Sequence, residues 1–333
     1  MPTDRLNRTT LLEATLPAVL DVLAGTDTDT AAARAGLEPA DLDAAVAVYR
    51  QAGRQALAQQ AGPPAWRQLY IQFTDWAKAE QTAADHLAPV LDLARQDDLI
   101  TGWWFIRKHP CWRIRLLPAF ETQLPPALSD TLEELTAAGA VHRWWPGIYE
   151  PETAAFGGDT SMTIAHTLFH ADSHAILTTP HGELGRRELS LLLCATLMRA
   201  AGLEWYEQGD VWHRVTRERP LPPDVPTAKI HALADNLRQL LIADTSPSGP
   251  MLQSDRTLKS AADWVSAFRQ AGRDLGAAAR DGALDRGLRA VIAYHVIFHW
   301  NRIGLPARTQ SVLAHAAYTA ILHPADLMER PMP

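Results

Sequence analysis

Trp66-Arg67-Gln68-Leu69-Tyr70-Ile71-Gln72-Phe73 alternates large and polar side chains. Period two is the pattern of a half-buried strand, because successive side chains leave a pleated backbone on opposite sides. Just before it, Gly62-Pro63-Pro64 stops a helix, since proline lacks an amide donor and restricts the residue that precedes it. Upstream of that break the pattern changes. LLEATLPAVLDVLAG, ending at Gly25, and the run from Glu38-Pro39-Ala40-Asp41 to about Leu57 space their apolar residues as helices do. We expect a small helical unit over residues 1–62 and the main body over 63–333.

Downstream of the strand the pattern predicts a helix from Trp76 to Arg95, then a strand pair or one long bent strand from Gly102 to Leu117. Helix 127–138, strand 141–149 and helices 161–177 and 183–200 follow. This order of elements predicts an α+β fold, a mixed, mainly antiparallel sheet packed with helices. Arg219-Pro-Leu-Pro-Pro-Asp-Val-Pro226 is too rich in proline for either element and reads as a surface linker. A helical C-terminal segment comes after it, with a loop at Thr245–Pro250 and a long apolar helix from Leu284 to Ile303.

Composition narrows the class. With 333 residues, 47% hydrophobic and 21% charged, the chain has the make-up of an ordinary globular protein. A net charge of −7 argues against broad contact with a nucleic-acid backbone, which needs many cations. No apolar run approaches the roughly 18–20 residues that span a bilayer, and MPTDRLNRTT has no secretory pattern. The expected location is the cytoplasm. Cys111 and Cys194 cannot build a disulfide framework, and no CxxC or HExxH spacing marks a metal site. Buried thiols, no metal and no cofactor are expected.

Chemistry concentrates in three places. Arg113 and Arg115 lie two apart, hence on one face of a strand, and two adjacent guanidinium groups suit a carboxylate held by paired hydrogen bonds. Two arginines reaching to solvent from a sheet edge would carry the same spacing. Gly157-Gly158 permits close backbone approach to a ligand, or simply a turn before a helix. On the last long helix, His295 and His299 are one turn apart beside Tyr294, an arrangement open both to acid–base work and to hydrogen bonding in a core.

Taken together, these segments resemble the elimination domain of class I lantibiotic dehydratases in its stand-alone, thiopeptide-type form. The resemblance runs from about Trp66 to His315. It rests on Trp66–Phe73, on Trp103-Trp104-Phe105-Ile106-Arg107 leading into Trp112-Arg113-Ile114-Arg115, and on the Tyr149…Phe156-Gly157-Gly158 loop. Leu168-Phe169-His170-Ala171-Asp172-Ser173, Arg187-Glu188-Leu189-Ser190 and His299-Trp300-Asn301-Arg302 complete it.

The resemblance implies a two-step dehydration. A glutamylating dehydratase partner esterifies a peptide Ser or Thr with glutamate from glutamyl-tRNA, and this domain then removes the glutamate. Its partners would be that dehydratase and the leader and core of a precursor peptide. Arg113, Arg115, His299 and Tyr294 would be catalytic, while Arg107, Gly157, Gly158, Asp172, Ser173, Asn301 and Arg302 would bind substrate. Arg113 and Arg115 are expected in one cleft with His299 and Arg302.

Two positions depart from the family. Ala155 and Phe156 stand where many members have an arginine and an aromatic, and Ile297 stands where the catalytic histidine commonly sits. His299 is two residues further on, about 200° around the helix. Relatives of this domain that act as pyridine synthases join two dehydroalanines in a formal [4+2] cycloaddition. That activity, or a non-catalytic accessory role, is the alternative.

Overall fold

Two strands, β1 (Arg67–Phe73) and β3 (Cys111–Pro118), form the centre of one four-stranded antiparallel sheet. β2 (Ile100–Lys108) and β4 (Val141–Gly147) flank them, in the order β2-β3-β1-β4. The structure is a computed structural model and describes residues 15–60, 66–119, 124–179, 184–252 and 258–323. The Gly62-Pro63-Pro64 break and the expected start of the first helix lie outside the described residues. The chain divides into two compact units, residues 1–65 and 66–333.

In the first unit, α1 (15–23), α2 (Thr28–Ala35) and α3 (Pro39–Gln60) surround a small core that includes Ala18, Val19, Ala32 and Leu42. Asp27 caps α2 by accepting from the Thr30 amide, and left-handed Gly36 ends it.

In the second unit, the Gly102–Leu117 stretch is a hairpin. Lys108 pairs with Cys111, so His109-Pro110 is its two-residue turn. The turn decides which way every later side chain points. Leu69, Ile71, Trp103, Phe105, Trp112 and Ile114 share one face and are buried in the main core. The opposite face carries Gln68, Tyr70, Trp104, Ile106, Arg113 and Arg115.

The helix after β1 runs as α4 (Ala79–Thr82), a π turn over Ala83–Leu87 and α5 (Ala88–Gln96). α6 (Pro126–Ala137) follows β3, and the short α7 (Thr153–Phe156) leads into α8 (Asp159–Thr178). α9 (Arg186–Ala200), α10 (Trp205–Glu218), α11 (Thr227–Ile242), α12 (Ala262–Arg280), α13 (Leu288–Ile303) and α14 (Ala307–Leu322) make up the helical remainder. The long apolar helix begins at Leu288 rather than Leu284, with Gly287 at its cap. α10 has no Ser, Thr, Asp or Asn at its start; a capping box between Glu204 and Glu207 opens it instead.

α8 lies along the outer strand, β2. The Phe105 amide donates to Ser173 Oγ at 3.1 Å, and His170 Nδ1 meets the Trp103 carbonyl at 2.8 Å. Side chains of the helix thus satisfy backbone groups that an edge strand would otherwise leave open. The contact also fixes α8 beside the Trp104 face.

Candidate active site

Three elements build the site. β3 brings Arg115, α8 brings Asp172, and α13 brings His295, His299 and Arg302. Arg115 is 3% exposed, and its Nε donates to Gln68 Oε1 at 2.9 Å from the paired position on β1. Its guanidinium sits 4.1 Å from the Trp104 ring centre and 4.2 Å from that of Tyr149. Burial, eased by nearby Tyr149 and Glu152, lowers its pKa to about 10, which leaves it charged at neutral pH. Arg302 approaches the other way. Its guanidinium lies 4.4 Å from the Phe169 ring centre and 5.9 Å from that of Trp104.

Asp172 is fully buried and holds the second half together. Its carboxylate accepts from Arg302 Nε at 2.7 Å, from Trp264 Nε1 at 2.8 Å and from His299 Nδ1 at 2.9 Å. Burial pushes the carboxyl pKa up. The opposing charges and hydrogen bonds of His299 and Arg302 outweigh that and hold it below the ordinary value. An ionised carboxylate only accepts, so His299 Nδ1 carries a proton toward it, and when the ring is neutral the lone pair lies on Nε2. Nε2 has no hydrogen-bond partner among the described residues. An imidazole oriented by a carboxylate, with a free basic nitrogen, is the arrangement of a general base.

The charge balance is uneven. Two guanidinium groups are set against a single bonded carboxylate, and Nη1 of both Arg115 and Arg302 is buried without a partner. Such a cluster has a surplus cation and donors to spare, the requirements for binding an anion.

The remaining expected residues divide. Arg113 shares the Arg115 face one pair outward, with its guanidinium 5.3 Å from the Tyr70 ring centre. Tyr294 is half-buried beneath Arg286, 4.9 Å from ring centre to guanidinium. Gly157 and Gly158 both have positive φ, and a Cβ on Gly157 would meet Val291 at 2.8 Å. The pair is a turn pressed against α13, with the Gly157 carbonyl accepting from Asp285. Ser173 holds β2, and Asn301 Oδ1 accepts from Gln310. Arg107 is on the opposite sheet face. It is paired with Glu80 together with Arg186, and it donates to the Arg302 carbonyl while Arg186 donates to that of Ile303. These two cations cap the C-terminal end of α13.

Gln68, Trp264 and His166 were not foreseen. The Tyr149 hydroxyl and His166 Nε2 share a hydrogen bond at 2.9 Å, and burial, with the Arg115 charge, lowers the His166 pKa to about 4. Cys111 and Cys194 are free and buried. A surface cavity of about 240 Å³ lies against Asp92, Arg95, Gln96 and His174 and includes none of the site residues.

Residues 66–321 match the family model for the lantibiotic biosynthesis dehydratase C-terminal domain. The chain belongs to that family. Among solved structures, this dehydratase C-terminal domain is similar to the tRNA-dependent lantibiotic dehydratase MibB from Microbispora sp. 107891, at 22% identity and a TM-score of 0.58. The alignment covers 81% of this chain but 29% of MibB. It is also similar to TsrL (15% identity, TM-score 0.57, 80% of this chain and 99% of TsrL). TbtD, the pyridine synthase from thiomuracin biosynthesis, aligns at 12% identity and a TM-score of 0.58, over 77% of this chain and 97% of its own. At these identities the likeness is one of fold. No curated protein matches the sequence significantly. The chain is thus a dehydratase-like domain of the lantibiotic biosynthesis type. Among the described residues, no helix is long and apolar enough to cross a membrane.

Proposed function

We propose that the protein eliminates glutamate from glutamylated Ser or Thr residues of a precursor peptide, leaving dehydroalanine or dehydrobutyrine. One observation carries this reading: two buried arginines with unpartnered Nη1 atoms flank Trp104, and the single carboxylate among them orients His299. Elimination needs a base for the α-proton and cations for the carboxylate that leaves. His299 Nε2 supplies the first, and Arg115 with Arg302 the second, assisted at the outer position by Arg113.

His299 and Arg302 are each 1% exposed. The glutamyl group therefore reaches them as the covering layer parts. The 148–158 connection, which includes α7, carries Tyr149 and Phe156 against the cluster and is the segment that has to move. The peptide arrives already glutamylated by a separate dehydratase partner.

Cycloaddition is the second reading. It is favoured by Ala155 and Ile297 at two positions where elimination-type members carry polar side chains, and by alignment over nearly the whole of TbtD. A reaction between two neutral alkenes has no use for a buried cation surplus, so elimination is preferred. The test is incubation of a glutamylated precursor peptide with the protein, read by mass for loss of the adduct. Release of glutamate supports elimination. An untouched adduct, combined with macrocycle formation from a dehydroalanine-bearing peptide, transfers the assignment to cycloaddition. Neither reaction, with acceleration of a partner dehydratase alone, makes the protein an accessory.

A further inference from the structure

His295 is one helical turn before His299, on the same face of α13. It is 2% exposed, and neither ring nitrogen has a hydrogen-bond partner among the described residues. A buried polar group left in that state carries an uncompensated desolvation cost, so a purely structural side chain here would more cheaply be apolar. Its surroundings are aromatic, with the Phe156 and Phe169 ring centres 5.0 and 5.9 Å away. Phe169 is also the ring on which Arg302 rests. His295 therefore belongs to the wall that carries Arg302, and its hydrogen-bonding capacity is unspent.

We propose that His295 is a further substrate-binding side chain, donating its ring N–H to the backbone carbonyl of the glutamylated residue. The role rests on the elimination reading. His299 Nε2 takes the α-proton, and the C–H electron pair forms the Cα=Cβ bond. The Cβ–O bond breaks, and its electrons leave on the glutamate carboxylate. Between these events the carbonyl oxygen next to Cα gathers negative charge, which a fixed N–H stabilises. No redox partner enters. Burial, with the Arg302 charge and against that of Asp172, lowers the His295 pKa to about 3, so the ring is a neutral donor at working pH and does not compete with His299 as base.

The experiment measures glutamate release from a glutamylated peptide by the full-length wild type, His295→Phe and His295→Gln. Phenylalanine fits the aromatic surroundings but cannot donate; glutamine can. The expected result is a loss of kcat of about 10²–10³-fold in His295→Phe, with KM and the unfolding midpoint close to wild type. His295→Gln should recover much of that loss. Should phenylalanine fail to fold, His295→Met makes the same comparison. An apolar variant that turns over like wild type overturns the role, as does a glutamine variant that is equally slow. A wild type that releases no glutamate overturns the elimination reading and this role with it, which separates the two failures.

Discussion

The two faces of the sheet are built from the same strands and do opposite work. On the core face, Leu69, Ile71, Trp103, Phe105, Trp112 and Ile114 leave only two neutral indole N–H groups, those of Trp103 and Trp112, without partners. On the other face and the helices that cover it, the unpartnered atoms belong to Arg113, Arg115, Arg302, His299 and His295 as well as the Trp104 indole and the Ser161 hydroxyl. One face has spent its polar capacity, and the other holds it in reserve under cover. Burial alone therefore does not distinguish scaffold from site in this molecule; the charge state of what is left unpaired does.

The sharpest way to break the comparison is at Asp172. Removing its carboxylate with Asp172→Ala leaves Arg302 charged and uncompensated in the interior, a change that typically costs about 3–5 kcal/mol. Chemical unfolding should show a loss of that size, and a loss below about 1 kcal/mol would mean that the cluster is open to solvent and the contrast between the faces is smaller than argued.

A smaller effect follows from pH. His295 has a folded pKa of about 3 against 6.5 for the free side chain, and His166 is shifted the same way, to about 4. Between those values the unfolded chain binds more protons than the folded one, so stability falls as pH drops from about 6.5. His295 alone contributes a slope of about 1.4 kcal/mol per pH unit within its window. Unfolding free energies of wild type and His295→Phe from pH 6.5 to 4.5 should differ by that slope; parallel curves would place His295 in contact with water.

The core face was legible from the sequence because period-two alternation needs no knowledge of pairing. Trp66–Phe73 declares its buried side by itself. The site face was legible as far as one element could show it: Arg113 with Arg115 on a strand, and His295 with His299 on a helix. What joins them was not. Asp172 and His299 are 127 residues apart, and Trp264 comes from α12, which offered no chemical signal at all. Arg107 shows why local pattern misleads. Read as one bent strand, 102–117 leaves its direction open, whereas the two-residue turn at His109-Pro110 pairs Arg107 with Trp112 and so sends it to the core face. α10 escaped notice for a related reason, since its cap is made by two glutamates rather than by the usual short polar residue.

The most direct test of the account is Arg115→Met, measured for both stability and turnover. The side chain keeps its volume and its contacts with Trp104 and Tyr149 but loses its charge. A buried ion with no carboxylate bonded to it carries an uncompensated desolvation cost, so its removal relieves the fold, offset in part by the Gln68 oxygen that loses its donor. The loss of a well-placed charge donor slows a step by about 10²–10³-fold. The account predicts an unfolding midpoint at or above that of wild type, together with glutamate release at least about 100-fold slower. A variant that is clearly destabilised yet releases glutamate at the wild-type rate would show that Arg115 serves the fold and not the chemistry.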